Sequence, residues 1–185
     1  MGRILIAGIA LSAFVFLTGC GSREMRRTIA DLTGSTIVFP EELQARVLDR
    51  DTVLDGNFAE PYKLVVYMNS TQCDGCRLKD LLVWKHYMRQ LDSIVTPDSL
   101  RLVFIFHPKD TAVLEQQLTL YDFDRPVWVD RNGDFERKNP LPADPAFHTF
   151  LLGRDDRILL VGSPVGRPGM WKLYKETVAG SASGK

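Results

Sequence analysis

The chain of 185 residues has three cysteines, three histidines, no excess of charge of either sign and no internal repeat. Each scarcity removes a class of function. With 23 acidic and 23 basic residues and no basic run, nothing drives binding to nucleic acid or to an anionic membrane surface. A single Cys-x-x-Cys cannot furnish the four ligands of a structural zinc site. What remains is ordinary globular composition, 45% hydrophobic and 25% charged, with enough length for one domain and a substantial core.

The first residues differ in kind from the rest. Arg3 is followed by an uncharged apolar stretch from Ile4 to Leu17, the pattern of a signal h-region. It is shorter than the roughly 20 residues that cross a bilayer as a helix, so a permanent transmembrane segment is the weaker reading. Leu17-Thr18-Gly19-Cys20 resembles the lipobox of bacterial lipoproteins. That resemblance implies removal of residues 1–19, a covalent lipid on Cys20, and a membrane-anchored protein of the cell envelope whose domain lies outside the cytoplasm, in the periplasm. The alternative is an ordinary secretory signal with an incidental cysteine. A lipid on Cys20 leaves two thiols in the mature chain, Cys73 and Cys76.

Residues 20–34 are polar with little periodicity and are expected to be a lipidated tether. Thr36 to Phe39 reads as a short strand, Glu41 to Leu48 as helical, and Asp49 to Glu60 as a turn-rich connection. From Lys63 to Met68 the run of β-branched, apolar and aromatic residues predicts a central strand buried on both faces. Asn69 to Gln72 are loop and cap residues. Leu78, Leu81, Leu82, Met88 and Leu91 then recur at helical spacing, predicting a helix from about Asp74 to Ser93. Leu102 to Phe106 reads as a second buried strand and Thr111 to Leu120 as a second helix facing the sheet with Val113, Leu114 and Leu118. A β-α-β unit makes the two strands parallel neighbours. Val127 to Val129 reads as a strand, and residues 130–134 as a turn. Thr149 to Leu152 and Ile158 to Val161 form a predicted hairpin, and Trp171 to Val178 a closing helix. Residues 179–185 are expected to be a flexible tail. Trp84, Tyr87 and Trp128 are expected in the core, and His86 and His107 on a helix surface and at a strand end.

Cys73-Asp74-Gly75-Cys76 falls just after the central strand and at the opening of a helix. There Cys73 would face unpaired N–H groups and the positive end of the helix dipole, which favour thiolate over thiol. Cys73 is therefore the expected nucleophile. Cys76, one turn inside the helix, is the resolving residue. Asp74 opposes a low thiol pKa by like charge, whereas Arg77 and Lys79 favour it.

This strand, Cys-x-x-Cys and helix, with a β-α-β unit and a C-terminal hairpin, resembles the thioredoxin superfamily and in particular its envelope-anchored TlpA-like branch. The resemblance covers residues 35–178. It implies an α/β thioredoxin-like fold, a central mixed β-sheet flanked by helices, and thiol:disulfide oxidoreductase activity with no cofactor beyond the Cys73–Cys76 disulfide. The partners it implies are cysteine-containing envelope proteins and an upstream thiol or disulfide donor. The segment from Pro126 to Asp134 looks like the branch's inserted strand and loop. Phe150 to Ile158 resembles its first hairpin strand and acidic turn.

One position departs from the family. Where the family carries a cis-proline before the first hairpin strand, this chain has His148, between Phe147 and Thr149. A cis bond before a non-proline residue costs about 2.5–4 kcal/mol, so a trans Phe147–His148 bond is expected. An alignment without the insertion would give the role to Pro126 and make the residues after Gly133 an added segment. Asp74, Gly75, Arg77, Phe147, His148 and Thr149 are thus the residues expected to surround the dithiol.

Three other readings stand beside the enzyme. The first is a structural disulfide, though a loop this short stabilises a fold little. Cys73, Cys76 and His148 would suit a soft metal such as Cu(I), and so a binding chaperone. A thioredoxin-like scaffold without turnover, serving as a non-catalytic interaction domain within an envelope assembly, is the third.

Overall fold

The computed structural model describes residues 20–52, 54, 58–71, 78–94, 96 and 99–182, without side-chain detail for 20–22 and 180–182. Its centre is β3 (Tyr62–Met68), buried along all but its first residue. Leu64, Val66 and Met68 point into one core, while Val65 and Tyr67 point into another on the opposite face. That two-sided burial is why the sequence shows an unbroken apolar run here instead of alternation.

Strand β3 pairs in parallel with β4 (Leu100–Phe106) over the register Tyr62↔Leu100 to Met68↔Phe106. Strand β4 pairs in parallel with β5 (Val127–Val129). On the other side, β6 (Thr149–Leu152) runs antiparallel to β3, and β7 (Ile158–Val161) antiparallel to β6. With β1 (Gln44–Val47) and β2 (Arg50–Asp51) beyond β5, the sheet order is β2-β1-β5-β4-β3-β6-β7. This is the expected α/β mixed sheet.

Helices α2 (Asp80–Asp92) and α3 (Thr111–Leu120) connect β3 to β4 and β4 to β5. Both crossovers step the same way along the sheet, so both helices lie on one face. Leu81, Trp84, Met88 and Leu91 of α2 and Leu114 and Leu118 of α3 fill a single core there. Helix α5 (Pro168–Ala182) adds Trp171, Tyr174 and Val178 to that core. The half-buried Tyr87 stacks on Trp171 with ring centroids 4.2 Å apart. The chain then returns across the opposite face through α4 (Asp134–Lys138) and a 3-10 turn at Pro145–Phe147 before entering β6. The topology therefore reverses beside the C-terminal end of β3.

The N-terminal third differs from the expectations. Cys20–Leu32 is a helix, α1, whose Ile29 and Leu32 pack against the second core. Their three-residue spacing was the helical signal, masked by the charged residues around it. The expected strand at Thr36 to Phe39 reduces to one bridge, Thr36↔Arg157, flanked by Gly34 N–H to Ile158 O at 2.8 Å and Ile37 N–H to Asp156 O at 2.9 Å. Those bonds cover the edge of β7. The expected helix at Glu41 to Leu48 is instead strand β1, antiparallel to β5. Arg46, only 6% exposed, decides this locally by pairing with Asp51 of β2 at 2.6 Å and with Glu115 of α3. A partner three elements away overrides local propensity. Within the predicted helices, Leu82 and Val113 face solvent at 52% and 40% exposure. The closing helix begins at Pro168 and continues to Ala182, through residues expected to belong to a flexible tail.

Lys63 is the charged residue inside β3, 1% exposed. Its ammonium lies 2.6 Å from Asp156 Oδ1 in the β6–β7 turn, with the carbonyls of Phe58 and Arg154 at 3.4 and 3.3 Å. A buried cation without such partners would cost several kcal/mol.

Candidate functional site

The dithiol segment follows β3 directly. Asn69 Oδ1 accepts hydrogen bonds from Thr71 N–H at 3.3 Å and Thr71 Oγ1 at 2.7 Å, an Asx-type turn that takes the chain out of the strand. The chain is described again from Leu78, fully buried at the start of the run into α2. Cys73, Asp74, Gly75, Cys76 and Arg77 lie between these points, outside the described residues, as does the predicted first turn of the helix. The side chain of Cys20 is likewise outside them. What the structure supplies is the end of the sheet from which that segment leaves.

That end is made by the C-terminal ends of the parallel strands and the beginning of β6. His107 N–H donates to Met68 O at 2.9 Å, Asp130 N–H to Phe106 O at 2.8 Å, and Tyr67 N–H to His148 O at 2.9 Å. In open α/β sheets, a crevice forms outside the strand ends where the topology reverses, and this is that place.

His148 is fully buried. Its Nε2 lies 2.8 Å from the Pro142 carbonyl, which can only accept, so Nε2 carries a proton. Its ring lies 5.7 Å, centroid to centroid, from that of Tyr67. Tyr67 OH in turn donates to Glu136 Oε2 at 3.1 Å. Phe147 packs in the second core and Thr149 is buried where β6 meets Val66. No cis peptide bond occurs among the described residues, and Phe147–His148 is trans.

Pro126, the competing position, immediately precedes β5. Because β5 runs parallel to β4 with Val127 opposite Phe104, Pro126 stands level with the middle of β4, short of the C-terminal strand ends. The structure brings His148, and not Pro126, to the end of β3 that leads into the cysteines.

Two further groups fix this end of the sheet. The Asp130 carboxylate, 1% exposed, accepts from Asp134 N–H at 2.9 Å and Phe135 N–H at 2.8 Å, satisfying donors at the start of α4. His107 Nδ1 lies 2.8 Å from Asp130 O and by the same reasoning is protonated there. Gly133 adopts φ 69°, and a Cβ on it would lie 3.2 Å from His107 Nε2. Backbone conformation favours glycine there, and the imidazole leaves little room for a side chain. Sequence reasoning placed residues 130–134 in a turn but missed the capping role of Asp130 and the Tyr67–Glu136 contact. An acidic residue four positions before Asp134 and its helix was the available signal for the first; the second joins residues 69 positions apart and left none.

His86 is exposed on α2 and lies 2.7 Å from Gln90 Nε2. Among the described residues, no group of three or more His, Cys, Asp or Glu side chains is arranged to hold a metal. No helix among them is long and apolar enough to cross a membrane.

A scan against protein-family models returns no match, and a search of curated proteins returns none. Solved structures do match. The thioredoxin domain of a thiol-disulfide oxidoreductase from Bacteroides vulgatus superposes with a TM-score of 0.57 at 12% identity, covering 79% of this chain and 97% of that one. A thiol:disulfide interchange protein from Bacteroides sp. gives 0.57 at 13% identity, covering 82% and 93%. A thioredoxin-like protein in its oxidized form gives 0.53 at 15% identity, covering 81% and 97%. At these identities the likeness establishes the fold, and the fold of this chain is thioredoxin-like.

Proposed function

We propose that the protein is a membrane-tethered thiol:disulfide oxidoreductase of the cell envelope, acting through Cys73 and Cys76 on cysteines of other envelope proteins. The observation that carries this reading is the position of the pair in the chain. It falls between the last residue of the central strand and the helix that follows, at the reversal of a thioredoxin-like sheet.

In the reducing direction, the Cys73 thiolate attacks one sulfur of a partner disulfide, forms a mixed disulfide and expels the other partner sulfur as a thiolate, which takes a proton from solvent. The Cys76 thiolate then attacks Cys73 Sγ and expels the second partner sulfur. The products are a partner dithiol and the Cys73–Cys76 disulfide, two electrons having passed to the partner. A thiol donor must then reduce that disulfide. In the oxidising direction each step runs backwards and a disulfide donor closes the pair.

His148, Tyr67 and Asp130 are positioning residues in this reading. The lipid on Cys20 would hold the domain at the membrane, with α1 following directly from the anchor.

The test is turnover of a disulfide-bonded model protein, with glutathione as the donor. Cys73→Ser is expected to abolish exchange, and Cys76→Ser to accumulate a mixed disulfide with the partner. Full activity in both single variants would overturn the assignment. Metabolic labelling with a radiolabelled fatty acid tests the anchor: label in the wild type and none in Cys20→Ser is the expected result.

A further inference from the structure

Strand β5 covers only part of β4. The bridges Phe104↔Val127, Ile105↔Trp128 and Phe106↔Val129 occupy the C-terminal half of β4, and the ladder stops at Pro126, which has no N–H to donate. The direction of each backbone group on β4 follows from the bonds at its ends. Ser99 O accepts from Tyr62 N–H and His107 N–H donates to Met68 O, so odd-numbered residues bond toward β3; Phe106 O accepts from Asp130 N–H, so even-numbered residues bond toward β5. Leu100 and Leu102 therefore point their N–H and C=O groups at the place where β5 would continue. Among the described residues, neither has a backbone partner on that side.

That place is a cavity of about 530 Å³. It is lined by Met88, Leu91 and Phe104, which belong to one core, and also by Trp128, which belongs to the other. A space that reaches residues of both faces passes through the plane of the sheet, as a gap of strand width does. On the α2 face its wall is apolar, with Met88, Leu91, Leu100 and Phe104 each 7% exposed or less. On the other face Arg101 Nε lies 2.5 Å from Glu60 Oε1, and at the exposed rim Arg125 Nη2 lies 2.8 Å from Asp92 Oδ2.

These features select one kind of occupant. The four charged residues cancel in pairs and leave no unpaired charge among them to attract an ionic ligand. What is left is an N–H and a C=O on each of two residues, repeated at roughly 6.8 Å along the strand, and the group that carries the same pair at the same period is an extended peptide backbone. We propose that this notch binds an extended segment of a partner protein by antiparallel strand addition to β4, two of its residues, i and i+2, exchanging hydrogen bonds with Leu102 and Leu100. Directly paired residues share a face, so those two side chains lie with Leu100 and Leu102 against Met88, Leu91 and Phe104 and are apolar. The residue between them lies on the face of Arg101 and Glu60 and is polar. The segment recognised is thus apolar-polar-apolar. This goes beyond the redox reading and does not depend on it, since neither cysteine takes part.

The probe is the capped pentapeptide Lys-Val-Thr-Val-Lys, titrated into the full chain in detergent and followed by the backbone ¹H–¹⁵N resonances. The expected result is a saturable downfield shift of the Leu102 amide. N-methylation of both valines removes the donors to Leu102 and Leu100 while keeping the side chains, and is expected to weaken binding at least about tenfold. N-methylation of the threonine, whose N–H points away from β4, is expected to leave affinity within about twofold. No saturable shift at Leu102, or equal affinity for the peptide methylated on its valines, would overturn the proposal. So would a Leu102 shift that grows with protein concentration in the absence of peptide, which would put a second copy of the chain at this edge. Every comparison uses the unmodified protein, so no variant has to fold.

Discussion

At the C-terminal ends of β3, β4 and β5, the buried polar groups close on one another: His148 Nε2–H on the Pro142 carbonyl, His107 Nδ1–H on the Asp130 carbonyl, and the Asp130 carboxylate on two N–H groups of α4. Glu60, just before β3, and Trp128, in the middle of β5, by contrast bury an Oε2 and an Nε1 with no partner. The difference separates two ways of building a site. The first end closes its hydrogen bonds within the protein and holds the strand ends in place. The second leaves buried bonding capacity unmet, at a cost in stability.

Breaking the closed end should therefore damage the fold before it alters any ligand. Asp130→Ala orphans two buried N–H groups and is expected to lower stability by about 2–4 kcal/mol, read from the urea midpoint at constant m-value. Asp130→Asn keeps an acceptor oxygen and should cost less. The Lys63–Asp156 pair tests the other end, where one buried charge is closed. Asp156→Ala should destabilise by about 2 kcal/mol, less than a fully buried pair because the Asp156 side chain is 34% exposed.

His148→Pro sharpens the contrast with the thioredoxin-superfamily pattern. It removes an N–H that donates to Pro145 O at 3.1 Å and the imidazole bond to Pro142. The expected loss is about 1–2 kcal/mol, with unfolding again the readout. A gain in stability would mean that the proline geometry is the preferred one here.

The smallest effect at neutral pH belongs to Tyr174. Burial pushes its phenol pKa well above the ordinary value near 10, and its OH donates to Gly162 O at 3.0 Å. A pKa raised in the folded state gives a contribution fully present below pH 10 and lost as pH rises beyond it, at no more than about 1.4 kcal/mol per pH unit. Tyr174→Phe should flatten the alkaline limb of the stability profile while leaving its shape at pH 6–8 unchanged.

The legibility of the sequence follows the same division between local and distant causes. Strands β3 and β4, helix α3, β5 and the hairpin were readable because each carries its signal within its own residues, whether an apolar run, helical spacing or a turn. Helix α3 has the predicted limits, with Asp110 accepting from Ala112 N–H at 2.8 Å. The N-terminal third was misread because its conformation is decided elsewhere. Strand β1 exists through β5 and through Glu115 on α3, and the segment after α1 through the edge of β7. Of the residues expected around the dithiol, Phe147, His148 and Thr149 stand at the end of β3, while Asp74, Gly75 and Arg77 fall outside the described residues with the cysteines. Tyr67 and Asp130 join the first three only once the sheet is assembled.

The most direct test of the proposed function is the reduction potential of the Cys73–Cys76 pair, measured against glutathione buffers in a Cys20→Ser chain. The account predicts a reversible two-electron couple between roughly −120 and −270 mV, the span of known exchange catalysts. A bridge still closed below about −300 mV, or a pair that never closes, would contradict it.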